Sequence, residues 1–211
     1  HSAGGTIAAC AYTAAGLEAE GEDLTVSSKP NLLALFNTPL DINHYYLLHV
    51  GSDMADNLSP NDHLTEGFPP TILFYEVKDV RHLLDGTDFV LNSRGLGNVV
   101  ELYAIEDPTL ERKQAHDASK VSPWFERTVY LLDTFLSKHG YIQGEPVMEL
   151  PEGKIEMGRM TPSHPGLKDN WNYTELHHAA RTGDVESTQI LIEGGAEVDA
   201  NDKWGNTPMY H

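Results

Sequence analysis

Cys10 is the only cysteine in 211 residues, so no internal disulfide can form. Basic residues are scarce as well: 14 Lys and Arg face 32 Asp and Glu, a formal net charge of -18. A surface of that sign repels phosphate backbones and anionic head groups, and no basic patch with interleaved aromatics offsets it, so nucleic acid and membrane surfaces are excluded as partners. No apolar run reaches transmembrane length and no signal-like start is present. No H-x-x-E-H or C-x-x-C spacing points to a metal, and no cofactor is implied. The compartment stays open, because the chain begins on His1 inside a motif. The expectation is that residues precede it, so the lack of a signal peptide in this sequence says nothing about secretion.

What is present is ordinary for a soluble globular protein: 40% hydrophobic and 9% aromatic residues, enough for one fair-sized domain and a small appendage. The chain opens on His1-Ser2-Ala3-Gly4-Gly5 and runs straight into small residues, a helix expected over 3–17 with Gly16 at its end. This is the second half of a G-x-S-x-G nucleophile elbow. In that turn the serine sits between strand and helix, and the flanking glycines avoid Cβ collisions. Cys10, in the alanine-rich part, reads as a small buried side chain.

Three short continuous apolar runs follow, at 31–36, 71–75 and 99–105, each suited to a parallel strand buried on both faces. Residues 42–67, with His44, Tyr45, Tyr46 and His49, leave the end of the first such strand. They are read either as pocket residues or as a surface excursion. Asp79 lies just beyond the second strand, where an α/β architecture sets the acid that orients a catalytic histidine; Asp85 and Asp88 are the alternatives. Ser122-Pro123 predicts a helix with a capping hydroxyl and proline at its first position. It should run to Lys138, with Phe125, Val129, Leu132 and Phe135 on one face. Residues 143–170 carry Pro146, Pro151, Pro162 and Pro165 without a sustained period, and read as a linker.

The last segment differs in kind. Thr174-Glu175-Leu176-His177-His178-Ala179-Ala180 stands one residue from the T-P-L-H-x-A pattern, and Thr174 and Thr207 are 33 residues apart, the ankyrin period. Residues 172–211 resemble ankyrin repeats, one unit complete and the next broken off, and the repeat accounts for His177 and His178.

Residues 1–146 resemble the C-terminal half of an α/β-hydrolase, of the acetyl-esterase, carboxylesterase, xylan-esterase and feruloyl-esterase-like kind. The resemblance is carried by His-Ser-Ala-Gly-Gly, by Leu-Leu-Ala-Leu-Phe-Asn-Thr-Pro-Leu-Asp, by the segment from Ser59-Pro60 to Leu73-Phe74, and by Val100-Glu101-Leu102-Tyr103. It implies a doubly wound, mostly parallel sheet, in a partial domain over 1–146, joined by a Pro/Gly-rich linker at 147–171 to the ankyrin segment at 172–211. It also implies chemistry: Ser2 as nucleophile, Asp79 as acid, His116 as base, and the Ala3 backbone N–H as one oxyanion-hole donor. The second donor would come from an upstream loop, and the sheet would have an open edge where earlier strands pair.

Two positions depart from the family pattern. Asp107-Pro108-Thr109-Leu110 stands where the histidine is usual, so His116 requires a loop about six residues longer, a small entropic change. Glu76 stands near the acid where a glycine is usual. His44, His49, His63 and His82 read as turn or surface residues rather than ligands. The implied function is a serine hydrolase acting on a small-molecule carboxylic ester, with a protein partner for the ankyrin segment. The alternatives are a non-catalytic interaction protein and a peptidase of the same fold. An H-G-G-G-like loop upstream and further repeats beyond His211 are expected.

Overall fold

The computed structural model describes residues 1–14, 18–42, 58–107, 109–145, 147, 158–159, 168, 172–182, 185–193 and 195–210. Its centre is a sheet ordered β1 (Leu33–Phe36), β2 (Thr71–Glu76), β3 (Val100–Ile105) and β4 (Gly158–Arg159). The first three strands are parallel, and β4 joins β3 antiparallel. β2 is buried along its whole length, the state its unbroken apolar run anticipates. The expected 143–170 linker therefore contributes two residues to the sheet edge.

Parallel strands need a crossover. Between β2 and β3 it is α2 (Val80–Gly95), a helix that the sequence reading passed over. Together with α1 (Ala3–Thr13) it covers one face, where Ala9, Leu83, Phe89 and Val90 pack with Leu35, Leu73, Tyr75 and Leu102. The opposite face, with Ile72, Phe74 and Tyr103, receives Phe135, Leu131 and Leu132 of α4 (Trp124–Lys138). Helices on both faces of a mostly parallel sheet make this a doubly wound α/β layer structure. A short helix, α3 (Arg112–Ala115), lies between β3 and α4.

Several local expectations are corrected. α1 closes at Thr13, and the Gly16 stop lies outside the described residues. α4 starts at Trp124 with Pro123 at the cap position and no side-chain cap; the Ser122 hydroxyl donates instead to the Glu126 carboxylate at 2.5 Å. Phe125 is 53% exposed, because the buried stripe runs through Trp124, Arg127, Thr128 and Phe135. Cys10 is buried, as expected of a small side chain in a close-packed helix, and burial pushes its thiol pKa up to about 11.

At the C-terminal end, α5 (Glu175–Thr182) and α6 (Val185–Glu193) bury Leu176, Ala179 and Leu191 between them. His177 is 1% exposed: the Thr174 backbone N–H donates to its Nδ1 at 3.1 Å, and its Nε2 donates to the Asn206 carbonyl at 3.3 Å. The ring thereby ties the first helix to the next turn. That turn is closed by Asp202, whose Oδ1 accepts from the Trp204 and Asn206 amides at 2.8 Å each. α5 rests on α2 of the α/β layer. Among the described residues, no helix is long and apolar enough to cross a membrane.

Candidate active site

Ser2 precedes α1 with φ 52° and ψ -137°, a conformation that L side chains rarely adopt. Its amide donates to the Phe36 carbonyl at the end of β1 at 2.9 Å, and its own carbonyl accepts from the Gly5 amide at 2.8 Å. The serine is thus held at a sharp entry into a helix. Gly5 lets the first turn of α1 approach Thr38 closely: a Cβ there would fall 2.1 Å from Thr38 Oγ1. The Ala3 N–H opens the helix and has no acceptor among the described residues, so it keeps the partial positive charge of a helix N-terminus.

Asp79 stands at the N-cap position of α2, three residues beyond β2. Three donors converge on its carboxylate. His116 Nδ1 lies 2.8 Å from Oδ2, Asn37 Nδ2 donates to the same oxygen at 2.9 Å, and His82 Nδ1 lies 2.7 Å from Oδ1. Burial alone pushes this carboxyl up, but the hydrogen bond and charge of His82, with the bonds from His116 and Asn37, outweigh it and hold the group below the usual carboxylate range. It is an anion at neutral pH, with both oxygens engaged.

His116 arrives from the loop after β3, and that loop is pinned at several points. Lys78 Nζ donates to the Asp107 and Leu110 carbonyls at 2.7 Å each, Trp124 Nε1 donates to Asp107 Oδ2 at 2.8 Å, and Ala118 and Trp124 pack on Ile105. Glu111 and Gln114 form a capping box that starts α3 just before the histidine. His1 flanks it from the other side, its ring centroid 4.8 Å from that of His116 and its Nε2 2.8 Å from the His116 carbonyl. With Nδ1 committed to Asp79, Nε2 is the nitrogen left to act as a base. Among the described residues no hydrogen bond joins the Ser2 hydroxyl to His116.

Of the residues singled out in the sequence, the structure brings Asp79 and His116 into direct contact, and His1, the residue before Ser2, packs on the His116 ring. Asp85 and Asp88 are instead buried within α2. One participant escaped the sequence reading: His82, read as a turn or surface residue, is only 15% exposed in its side chain and shares the Asp79 carboxylate. Its signal was the Asp79-x-x-His82 spacing, which brings both side chains onto one face of a first helical turn once α2 is recognised. From Ala3 a cleft of about 400 Å³ runs along α1, lined by Thr6, Ile7, Cys10, Ile42 and Leu58 among others. His44, Tyr45, Tyr46 and His49, the other pocket candidates, lie outside the described residues.

Residues 171–203 match the ankyrin repeat family. Among solved structures, the chain is similar to esterase 2 of the planctomycete Thermogutta terrifontis. The propionate-bound form, described as a thermophilic esterase, shares 26% identity at a TM-score of 0.51, over 68% of this chain and 56% of that one. The apo form gives 27% and 0.51 over 68% and 55%, and the butyrate-bound form 26% and 0.55 over 68% and 56%. The chain thus spans a little over half the length of the esterases it matches. No curated protein gives a significant match. The first part of the chain has the α/β-hydrolase fold of these esterases, and an ankyrin repeat follows it.

Proposed function

We propose that this chain carries the catalytic centre of a serine esterase that hydrolyses small carboxylic esters. The observation that carries the reading is the Asp79–His116 hydrogen bond of 2.8 Å, formed beyond the carboxyl ends of adjacent parallel strands, with His1, the residue before a serine at φ 52°, packed on the His116 ring. Ser2 Oγ attacks the ester carbonyl while His116 Nε2 takes its proton. The tetrahedral oxyanion is met by the Ala3 N–H, and the leaving alcohol departs with the proton from His116. Water then repeats the sequence on the acyl-serine. Asp79, ionised throughout, holds the Nδ1–H tautomer and stabilises the imidazolium that forms in between.

The apolar cleft beginning at Ala3 suits a short acyl chain. The similarity to an esterase solved with propionate and with butyrate supports the same substrate class. The division we infer is a hydrolase part over 1–146, a connecting stretch over 147–171 and an ankyrin part over 172–211, whose role is to bind a protein partner.

The test is covalent labelling with a fluorophosphonate probe together with turnover of p-nitrophenyl acetate and butyrate, on the protein that carries this sequence and on its Ser2→Ala variant. Both signals are expected to vanish in the variant. Labelling or turnover that survives Ser2→Ala would falsify the assignment.

A further inference from the structure

Asp79, His82 and His116 do more than form hydrogen bonds. One carboxylate oxygen and one nitrogen from each ring lie within 4.8 Å of one another, gathered from two segments of the chain. Asp79 and His82 are held by the first turn of α2, and His116 by the loop pinned through Lys78 and Trp124. We propose that these three side chains form a binding site for a borderline-soft divalent cation, zinc above all, and that the metal-bound form is catalytically silent; the second half rests on the esterase reading.

The donor set argues for the metal. Two imidazoles and one carboxylate are the ligands of open zinc sites, in which water fills a fourth position, whereas magnesium and calcium favour all-oxygen shells. His82 Nδ1 touches Oδ1 and His116 Nδ1 touches Oδ2, so the three ligand atoms, now within 4.8 Å of one another, must draw to the roughly 3.3 Å edges of a tetrahedron with ~2 Å metal–ligand bonds. Access comes from the side of His116, the most exposed of the three at 33% against 15% for Asp79. His1 stays out of the set, since its Nε2 is turned onto the His116 carbonyl.

Inhibition follows from the proton count. Each neutral ring carries one N–H, now on Nδ1. A cation that takes the Nδ1 lone pair leaves that proton on Nε2 instead, so no proton is gained or lost by the ring. Nε2 of His116 is then a donor and cannot accept the proton of Ser2. The metal removes the base without touching the nucleophile.

The experiment uses Co²⁺ as a spectroscopic stand-in for zinc, titrated into the full chain, with zinc binding measured in parallel by calorimetry. Wild type and Ser2→Ala should develop the visible ligand-field bands of a four- or five-coordinate cobalt ion at one equivalent. His82→Gln keeps an N–H for Asp79 but offers no imidazole, and should bind at least ~10-fold more weakly. Saturating zinc should cut ester turnover at least ~10-fold and EDTA should restore it. Equal cobalt affinity in wild type and a folded His82→Gln, or no bands in either, overturns the site. Bands that require His82 with turnover insensitive to zinc overturn the inhibition. Turnover absent from the start defeats the esterase reading alone, because the cobalt titration and Ser2→Ala still decide the site.

Discussion

Gly86, halfway along α2, stands directly against the ring of Tyr75 on β2: a Cβ on the glycine would lie 2.4 Å from the Tyr75 Cε2 atom. Tyr75 is fully buried, and its hydroxyl donates to the Thr38 carbonyl at 2.7 Å. The ring therefore has no free direction in which to yield. Gly86→Ala is expected to destabilise the fold by about 1–3 kcal/mol through overpacking, although alanine is the better helix former. Urea unfolding at constant m-value checks this, and an unchanged or raised midpoint contradicts it.

Removing the charge of Asp79 tests which acid serves the base. Asp79→Asn keeps an oxygen to accept one donor but loses the anion that holds the His116 tautomer, and kcat should fall by on the order of 10³–10⁴-fold. Asp88→Asn, on the same helix but away from His116, should leave kcat within about 3-fold once stability is matched. The reverse pattern would move the acid to the other carboxylate.

What was and was not legible around Asp79 has a physical source. β1, β2 and β3 are short apolar runs buried on two faces, a pattern that survives reading one residue at a time. α2 gives no such pattern: Arg81, Asp85, Thr87, Asp88 and Ser93 are all buried, so its inward face is as polar as its outward one. With the helix unseen, Asp79 could be read as the acid from its position after β2, but His82 could not be recognised as its neighbour. His116 was legible only as the nearest histidine after β3. The loop that carries it is pinned by Lys78, which lies before β3, and by Trp124 of the following helix.

Glu76 gives the clearest dependence on pH. It is fully buried, its Oε1 has no partner among the described residues, and burial raises its pKa despite the Lys78 amide bonded to Oε2. The folded protein therefore holds this proton more tightly than the unfolded chain does. Below the unfolded-state value near 4.3 both states are protonated and no stability is lost. As pH rises through the higher folded-state value, that contribution to stability disappears. Glu76→Gln, which is always neutral and can still accept from Lys78, should melt at the same temperature as wild type in acid and at a higher one at pH 7. Thermal melts from pH 4 to 8 measure this; a gap that is largest in acid has the wrong sign.

The backbone of Ser2 carries a final consequence. At φ 52° a hydroxymethyl group sits where only glycine is comfortable, a strain of about 1–3 kcal/mol. Ser2→Gly is therefore expected to raise the midpoint of unfolding while ending labelling by fluorophosphonate. Both outcomes together would mean that the turn gives up stability for the hydroxyl that the proposed reaction needs. A glycine variant that unfolds more readily than wild type would show that the turn is not strained at all.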